Sequence, residues 1–143
     1  MRSGTKERTK SPTEEETMAE GSVTKEMTPG PDVVWAVVSD FYGLDKWIPG
    51  VTKCTKDGHD RLVHVGELVI RERLIELDNE NRSLIYSIIE GSPASAHEAQ
   101  ITVDPHGQGS QVTYRVTVEP DEALEFYKQT YAGLLEALAH YAG

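Results

Sequence analysis

Hydrophobic and polar positions alternate with different periods along this chain, and the changes of period mark its elements. Residues 1–17 (MRSGTKERTKSPTEEET) hold one apolar residue, Met1. Such a segment cannot bury enough surface to offset its ordering entropy and is expected to be disordered, leaving residues 18–143 as one domain. Ser11-Pro12 offers a phosphorylation site for a regulatory tail, against the plainer reading of a solvated extension.

From Glu20 to Met27 the pattern is that of a polar strand, with Val23 and Met27 as its sizeable apolar residues. Thr28-Pro29-Gly30-Pro31 then turns the chain. Pro31 suits a first helical position and Asp32 favours the helix dipole. Val34, Val37, Val38 and Phe41 recur at helical spacing, so a short helix is expected to run to Gly43. Leu44 to Trp47 would form a second short helix of about one turn, and Pro49 displaces Ile48 from helical geometry. This aromatic-rich bridge separates the first strand from everything that follows.

Six runs with strand character come next: Val51–Lys56, Arg61–Val65, Glu67–Leu77, Arg82–Ile89, Ser95–Val103 and Gln111–Glu119. They are separated by turn signals such as Asp57-Gly58 and the Pro105-to-Gly109 stretch. Short connections imply an antiparallel meander, because parallel neighbours require long crossovers. Asp121 to Ala142 is the clearest helix, with Leu124, Tyr127, Tyr131, Leu134, Leu135 and Leu138 on one stripe. Gly133 in its middle points to close approach by the sheet or a ligand.

A length of 143 residues suits one domain with a single core. The net charge of −10, without a Lys/Arg cluster outside the N-terminal arm, argues against nucleic acid and anionic membranes. Cys54 is the lone cysteine, so neither a disulfide nor a Cys-based metal site is expected. His59, His64, His97, His106 and His140 lack metal-ligand spacing. No apolar run approaches the roughly 20 residues of a bilayer span, and no leader pattern follows Met1, so a cytoplasmic protein is expected. No Walker loop, dinucleotide fingerprint, nucleophile elbow or Ser–His–Asp arrangement is present, and no cofactor is expected.

The stretch VWAVVSDFYGLDKWIPGV, followed by VIRERLIELDNENRSLIYSIIEGSPAS, resembles the START-like (SRPBCC) superfamily, in its polyketide cyclase/dehydrase branch. Abscisic-acid receptors and Bet v 1 allergens are more distant relatives of similar layout. The resemblance covers roughly Gly21 to Ala142. It implies an α+β helix-grip fold, a seven-stranded curved antiparallel sheet wrapped around the long C-terminal helix with a cavity between them. The polar first strand departs from the family pattern.

Strand alternation places the inward side chains without that resemblance. Leu68, Ile70, Glu72 and Leu74 share one face; Leu84, Tyr86 and Ile88 share another; then His97, Ala99, Ile101 and Val103; then Val112, Tyr114, Val116 and Val118. The inward set is apolar with four polar interruptions: Glu72, Tyr86, His97 and Tyr114. The family likeness also puts Glu72 and His97 where related receptors hold pocket-lining polar groups. Candidate ligand contacts are Trp47, Ile70, Glu72, Leu74, Tyr86, His97, Ile101, Tyr114, Tyr127 and Tyr131.

A carboxylate between Ile70 and Leu74 requires a partner, water or a proton. Glu72 is read either as a ligand-orienting or acid–base group, or as a structural Glu satisfied by His97, Tyr114 or buried water. His97 is read as a satisfied core histidine or as the partner of Glu72. Tyr127 and Tyr131 serve as core aromatics and, in a helix-grip cavity, as ceiling. Trp47 either anchors the bridge or closes the pocket mouth. A one-residue register slip would instead turn Arg71 and Arg73 inward.

Three functions follow in order. The first is a binding protein for a hydrophobic small molecule, lipid-like, aromatic or polyketide, working as a monomer or weak homodimer. The second, supplied mainly by the resemblance, is a polyketide aromatase/cyclase or dehydrase with Glu72 and His97 as catalytic acid–base groups and Tyr86 or Tyr114 polarising carbonyls. The third is a protein-interaction module without a ligand.

Overall fold

Each turn signal between the apolar runs closes an antiparallel pair, and the pairs add up to one sheet. The structure is a computed structural model that describes residues 18–143. The arm expected to be disordered, with Ser11, lies outside the described residues. The chain order is β1 (Ala19–Met27), α1 (Pro31–Val38), a 3₁₀ turn (Leu44–Lys46), β2 (Val51–Asp57), β3 (Asp60–Val65) and β4 (Leu68–Asp78). Then come β5 (Ser83–Glu90), β6 (Ala96–His106), β7 (Gly109–Glu119), a second 3₁₀ turn (Asp121–Ala123) and α2 (Leu124–Ala142). The strands lie in the order β1-β7-β6-β5-β4-β3-β2, antiparallel throughout. This is the expected α+β helix-grip arrangement, an open curved sheet with a long C-terminal helix.

The bridge is less helical than its sequence suggests. α1 ends at Val38, and only the 3₁₀ turn follows where a second helix was expected. After Ser39 the amides turn to tighter bonds, Asp40 N to Val37 O and Gly43 N to Asp40 O, which end the α-helical ladder. Phe41 is still delivered to the core, and Trp35 joins Val34 and Val38 on the buried face while Val37 stays half-buried. Trp35 Nε1 donates to Asn79 Oδ1 at 3.0 Å, which pins α1 to the β4–β5 turn.

β1 is polar because it is an edge strand. It pairs with β7 along its full length, from Ala19 opposite Val118 to Met27 opposite Ser110. Its half-buried Lys25 reaches Glu136 of α2 at 3.2 Å. At the start of β7, a side chain on Gly109 would meet the carbonyls of Met27 and Thr28 at 2.2 and 2.8 Å, so the end of β1 needs a glycine there.

β6 and β7 run further into their turn than the alternation predicts. Pro105 pairs with Ser110 and His106 with Gly109, leaving Gly107 and Gln108 as a two-residue hairpin loop. The register of β4 against β5 shifts between Arg71 and Glu72 and again between Leu74 and Glu76. Bulges of this kind bend a strand and increase its twist.

α2 lies over the sheet with Tyr127, Tyr131, Leu135 and Leu138 buried. It starts at Leu124, one 3₁₀ turn later than expected. Gly133 is exposed, and nothing lies within 4 Å of where its side chain would be. The expectation of close approach by sheet or ligand is therefore corrected. Among the described residues no helix is long and apolar enough to cross a membrane.

Candidate functional site

Three layers meet around a cavity of about 330 Å³: the inner face of the sheet, α2, and the bridge after α1. The bridge supplies Trp47, Ile48 and Pro49; β4 supplies Leu68, Ile70 and Glu72. Tyr86 comes from β5, Ile101 from β6, Tyr114 from β7, and Tyr127 and Tyr131 from α2. Two expected contacts are elsewhere. Leu74 packs half-buried against the core, and His97 is buried behind Tyr131 without lining the cavity.

Glu72 faces inward, as the alternation predicts, and is 7% exposed. Its partner is Arg61 and not His97 or Tyr114. The two residues stand opposite each other in the β3–β4 ladder. Arg61 Nε and Nη2 both reach Glu72 Oε1, at 2.7 and 2.6 Å, and Arg61 Nη1 donates to the Phe41 carbonyl at 2.6 Å. The guanidinium carbon lies 3.8 Å from the Phe41 ring centre and 4.9 Å from that of Tyr86. Burial is the largest single influence and opposes the Arg61 charge, but the Glu72 carboxylate together with Tyr86 and Tyr114 holds the Arg61 pKa above its ordinary value. Among the described residues no group bonds Glu72 Oε2, so this acceptor remains on the cavity wall.

Arg61 is the charged wall residue that strand alternation overlooked. The signal was present in the hairpin. Gly66-Glu67 closes a two-residue loop that pairs Val65 with Leu68, and counting back along both strands sets Arg61 opposite Glu72. Arg71 and Arg73 point to the other face, where both bond Asp60 at 2.7–3.2 Å. The hydrogen bonds from Arg73 and Arg71 pull the Asp60 carboxyl down to about 2. The slipped register is thereby excluded.

The second polar group is a hydroxyl cluster. Tyr86 Oη bonds Tyr114 Oη and donates to Tyr131 Oη at 3.2 Å. The Tyr114 and Tyr131 rings stack 3.9 Å apart, 11° from parallel. Burial raises all three phenol pKa values well above the usual range, so they are hydroxyls at any ordinary pH. His97 Nε2 is 2.6 Å from Tyr131 Oη, while its Nδ1 accepts the Ile88 amide at 3.2 Å. Burial lowers the His97 pKa to about 4, so the ring is neutral. Tyr127 bonds Ser92 and ties the β5–β6 loop to α2. Trp47 lines the cavity with a buried Nε1 that has no partner among the described residues.

Chemically, the wall offers an apolar enclosure, one charge-neutral Arg–Glu pair and a small set of neutral hydrogen-bonding groups. Among the described residues no group of three or more His, Cys, Asp or Glu side chains could hold a metal ion.

Comparison with solved structures places many chains on this fold. An uncharacterized protein from Bacillus thuringiensis is 24% identical, with a TM-score of 0.81 over 87% of this chain and 98% of its own. A START superfamily protein from Mycobacterium smegmatis is 17% identical, with a TM-score of 0.71 over 86% and 96%. The Zhui aromatase/cyclase from Streptomyces is 20% identical, with a TM-score of 0.73 over 87% and 93%. At these identities the likeness is one of fold. No curated protein matches the chain. Residues 18–143 match the family described as polyketide cyclase / dehydrase and lipid transport. The chain therefore belongs to that family, within the START-like superfamily that its bridge and strand sequences resemble.

Proposed function

We propose that this chain binds a hydrophobic small molecule, lipid-like, aromatic or polyketide-type, between its sheet and α2. The observation that carries this reading is the cavity of about 330 Å³, apolar except for Arg61, Glu72 and a few neutral donors. Ligand pockets usually measure roughly 300–1,000 Å³ and combine an apolar wall with a few convergent polar groups. A core packed only for stability has few voids larger than a water molecule.

Native mass spectrometry of protein purified from its own host tests the reading. A retained small molecule is expected, and Ile101→Trp, which fills the cavity from β6, should release it without unfolding the chain. Absence of both a retained mass and any uptake of a hydrophobic probe would end this reading.

A second reading is proton transfer on a bound polyketide-type substrate, with Glu72 and His97 as the acid–base groups. Its support is the open Oε2 of Glu72 on the wall and the family description. His97 would act through Tyr131, since both of its ring nitrogens are already bonded. Turnover unchanged in Glu72→Gln and His97→Ala would remove this reading.

A further inference from the structure

The hydroxyl cluster can be treated as a count of hydrogens. His97 Nδ1 accepts the Ile88 amide at 3.2 Å, so it carries no hydrogen. In the neutral ring the hydrogen is then on Nε2, which donates to Tyr131 Oη at 2.6 Å. Tyr86, Tyr114 and Tyr131 bring three hydroxyl hydrogens, but only two hydroxyl–hydroxyl contacts join them. If Tyr114 donates to Tyr86 and Tyr86 to Tyr131, the Tyr131 hydrogen is left over. If the chain runs the other way, the Tyr114 hydrogen is left over. Every arrangement, including one in which Tyr86 accepts from both neighbours, leaves one hydroxyl hydrogen that these contacts do not use. All three tyrosines line the cavity.

A buried donor without a partner carries a desolvation penalty, which an acceptor on the occupant would remove. The charges on the wall restrict what that acceptor can be. Arg61 is matched by Glu72, with both bonds on one carboxylate oxygen. A ligand carboxylate would bring an unmatched negative charge into an apolar space beside Glu72. We infer that the cavity selects neutral molecules with a carbonyl-type oxygen on an apolar skeleton, over the hydrocarbon and the carboxylate of the same shape. This inference rests on the binding function proposed above and specifies its ligand class.

Three naphthalenes of matched shape test it, bearing an acetyl, an isopropyl or a carboxylate group, by calorimetric titration into the full chain. The acetyl compound is expected to bind about tenfold or more tightly than either of the others. Equal binding of the acetyl and isopropyl compounds, or tighter binding of the carboxylate, would overturn the inference while leaving the binding function intact. Binding of none to the folded chain would overturn both. Long-range proton–nitrogen NMR correlation of the imidazoles gives an independent reading. The inference requires His97 to be the Nε2–H tautomer at neutral pH. An Nδ1–H tautomer would let Nε2 accept the Tyr131 hydrogen, remove the surplus donor and refute the selection.

Discussion

Arg61 and Glu72 face each other across β3 and β4 and join two strands and the bridge through one buried guanidinium. An ion pair this deep is expensive to form and more expensive to break on one side. Arg61→Met is expected to destabilise the fold by roughly 3–5 kcal/mol, because Glu72 is left charged and unpaired. The Arg61→Met/Glu72→Met pair should return to within about 2 kcal/mol of the parent. Urea unfolding of the parent, both single variants and the double variant gives the coupling directly. Additive losses would show that the pair does not act as a unit.

His97 makes stability depend on pH in a defined window. Its ordinary value of 6.5 falls to about 4 in the folded chain. Between those values the unfolded chain takes up a proton that the folded chain refuses. Stability should therefore be full above pH 6.5 and fall as the pH drops toward 4, by about 3 kcal/mol at most. His97→Gln should flatten that part of the profile. Asp60 acts in a separate, lower window: its folded carboxyl is near 2 against an ordinary 3.8, so its contribution is lost only as the pH falls below 3.8.

Two glycines should respond in opposite directions to alanine. Gly133→Ala, exposed in mid-helix with open space around it, is expected to stabilise by up to about 1 kcal/mol. Gly109→Ala places a methyl against the backbone carbonyls of Met27 and Thr28 and should destabilise by roughly 2 kcal/mol. Thermal melts of the two variants separate these effects.

Trp35→Phe loses the bond to Asn79 together with part of the buried indole area. It is expected to cost more than the ~1 kcal/mol lost in Asn79→Ala, with the two losses not adding fully. Full additivity in denaturant unfolding would mean the bond does not hold α1 to the sheet.

Most of the container was legible in the sequence, because a half-buried strand shows its inside as alternation. His97, Ala99, Ile101 and Val103 are buried as that pattern requires, and so are Val112, Tyr114, Val116 and Val118. What escaped were features set by pairing between strands. Arg61 begins a short run and looks like a surface residue until the hairpin register places it against Glu72. The short bridge was over-read as two helices because helical spacing continues through Phe41 although the hydrogen bonds do not. Gly133 was open to a better reading, since it falls off the stripe formed by Tyr127, Tyr131, Leu134 and Leu138. The tautomer of His97 depends on the Ile88 amide, a contact that no periodicity encodes.

The three bonds of Arg61 have an evolutionary consequence. Its guanidinium lies against the Phe41 ring, donates to the Phe41 backbone carbonyl and neutralises Glu72, so positions 61 and 72 cannot drift one at a time. Replacing either strands the other, whereas replacing Phe41 removes only the ring and leaves its carbonyl in place. Homologues that bind other ligands are expected to vary freely at positions such as Ile70 and Ile101 while positions 61 and 72 change together or not at all. Covariation among homologous sequences, without any assay, would then separate the fixed frame of the pocket from its adjustable wall.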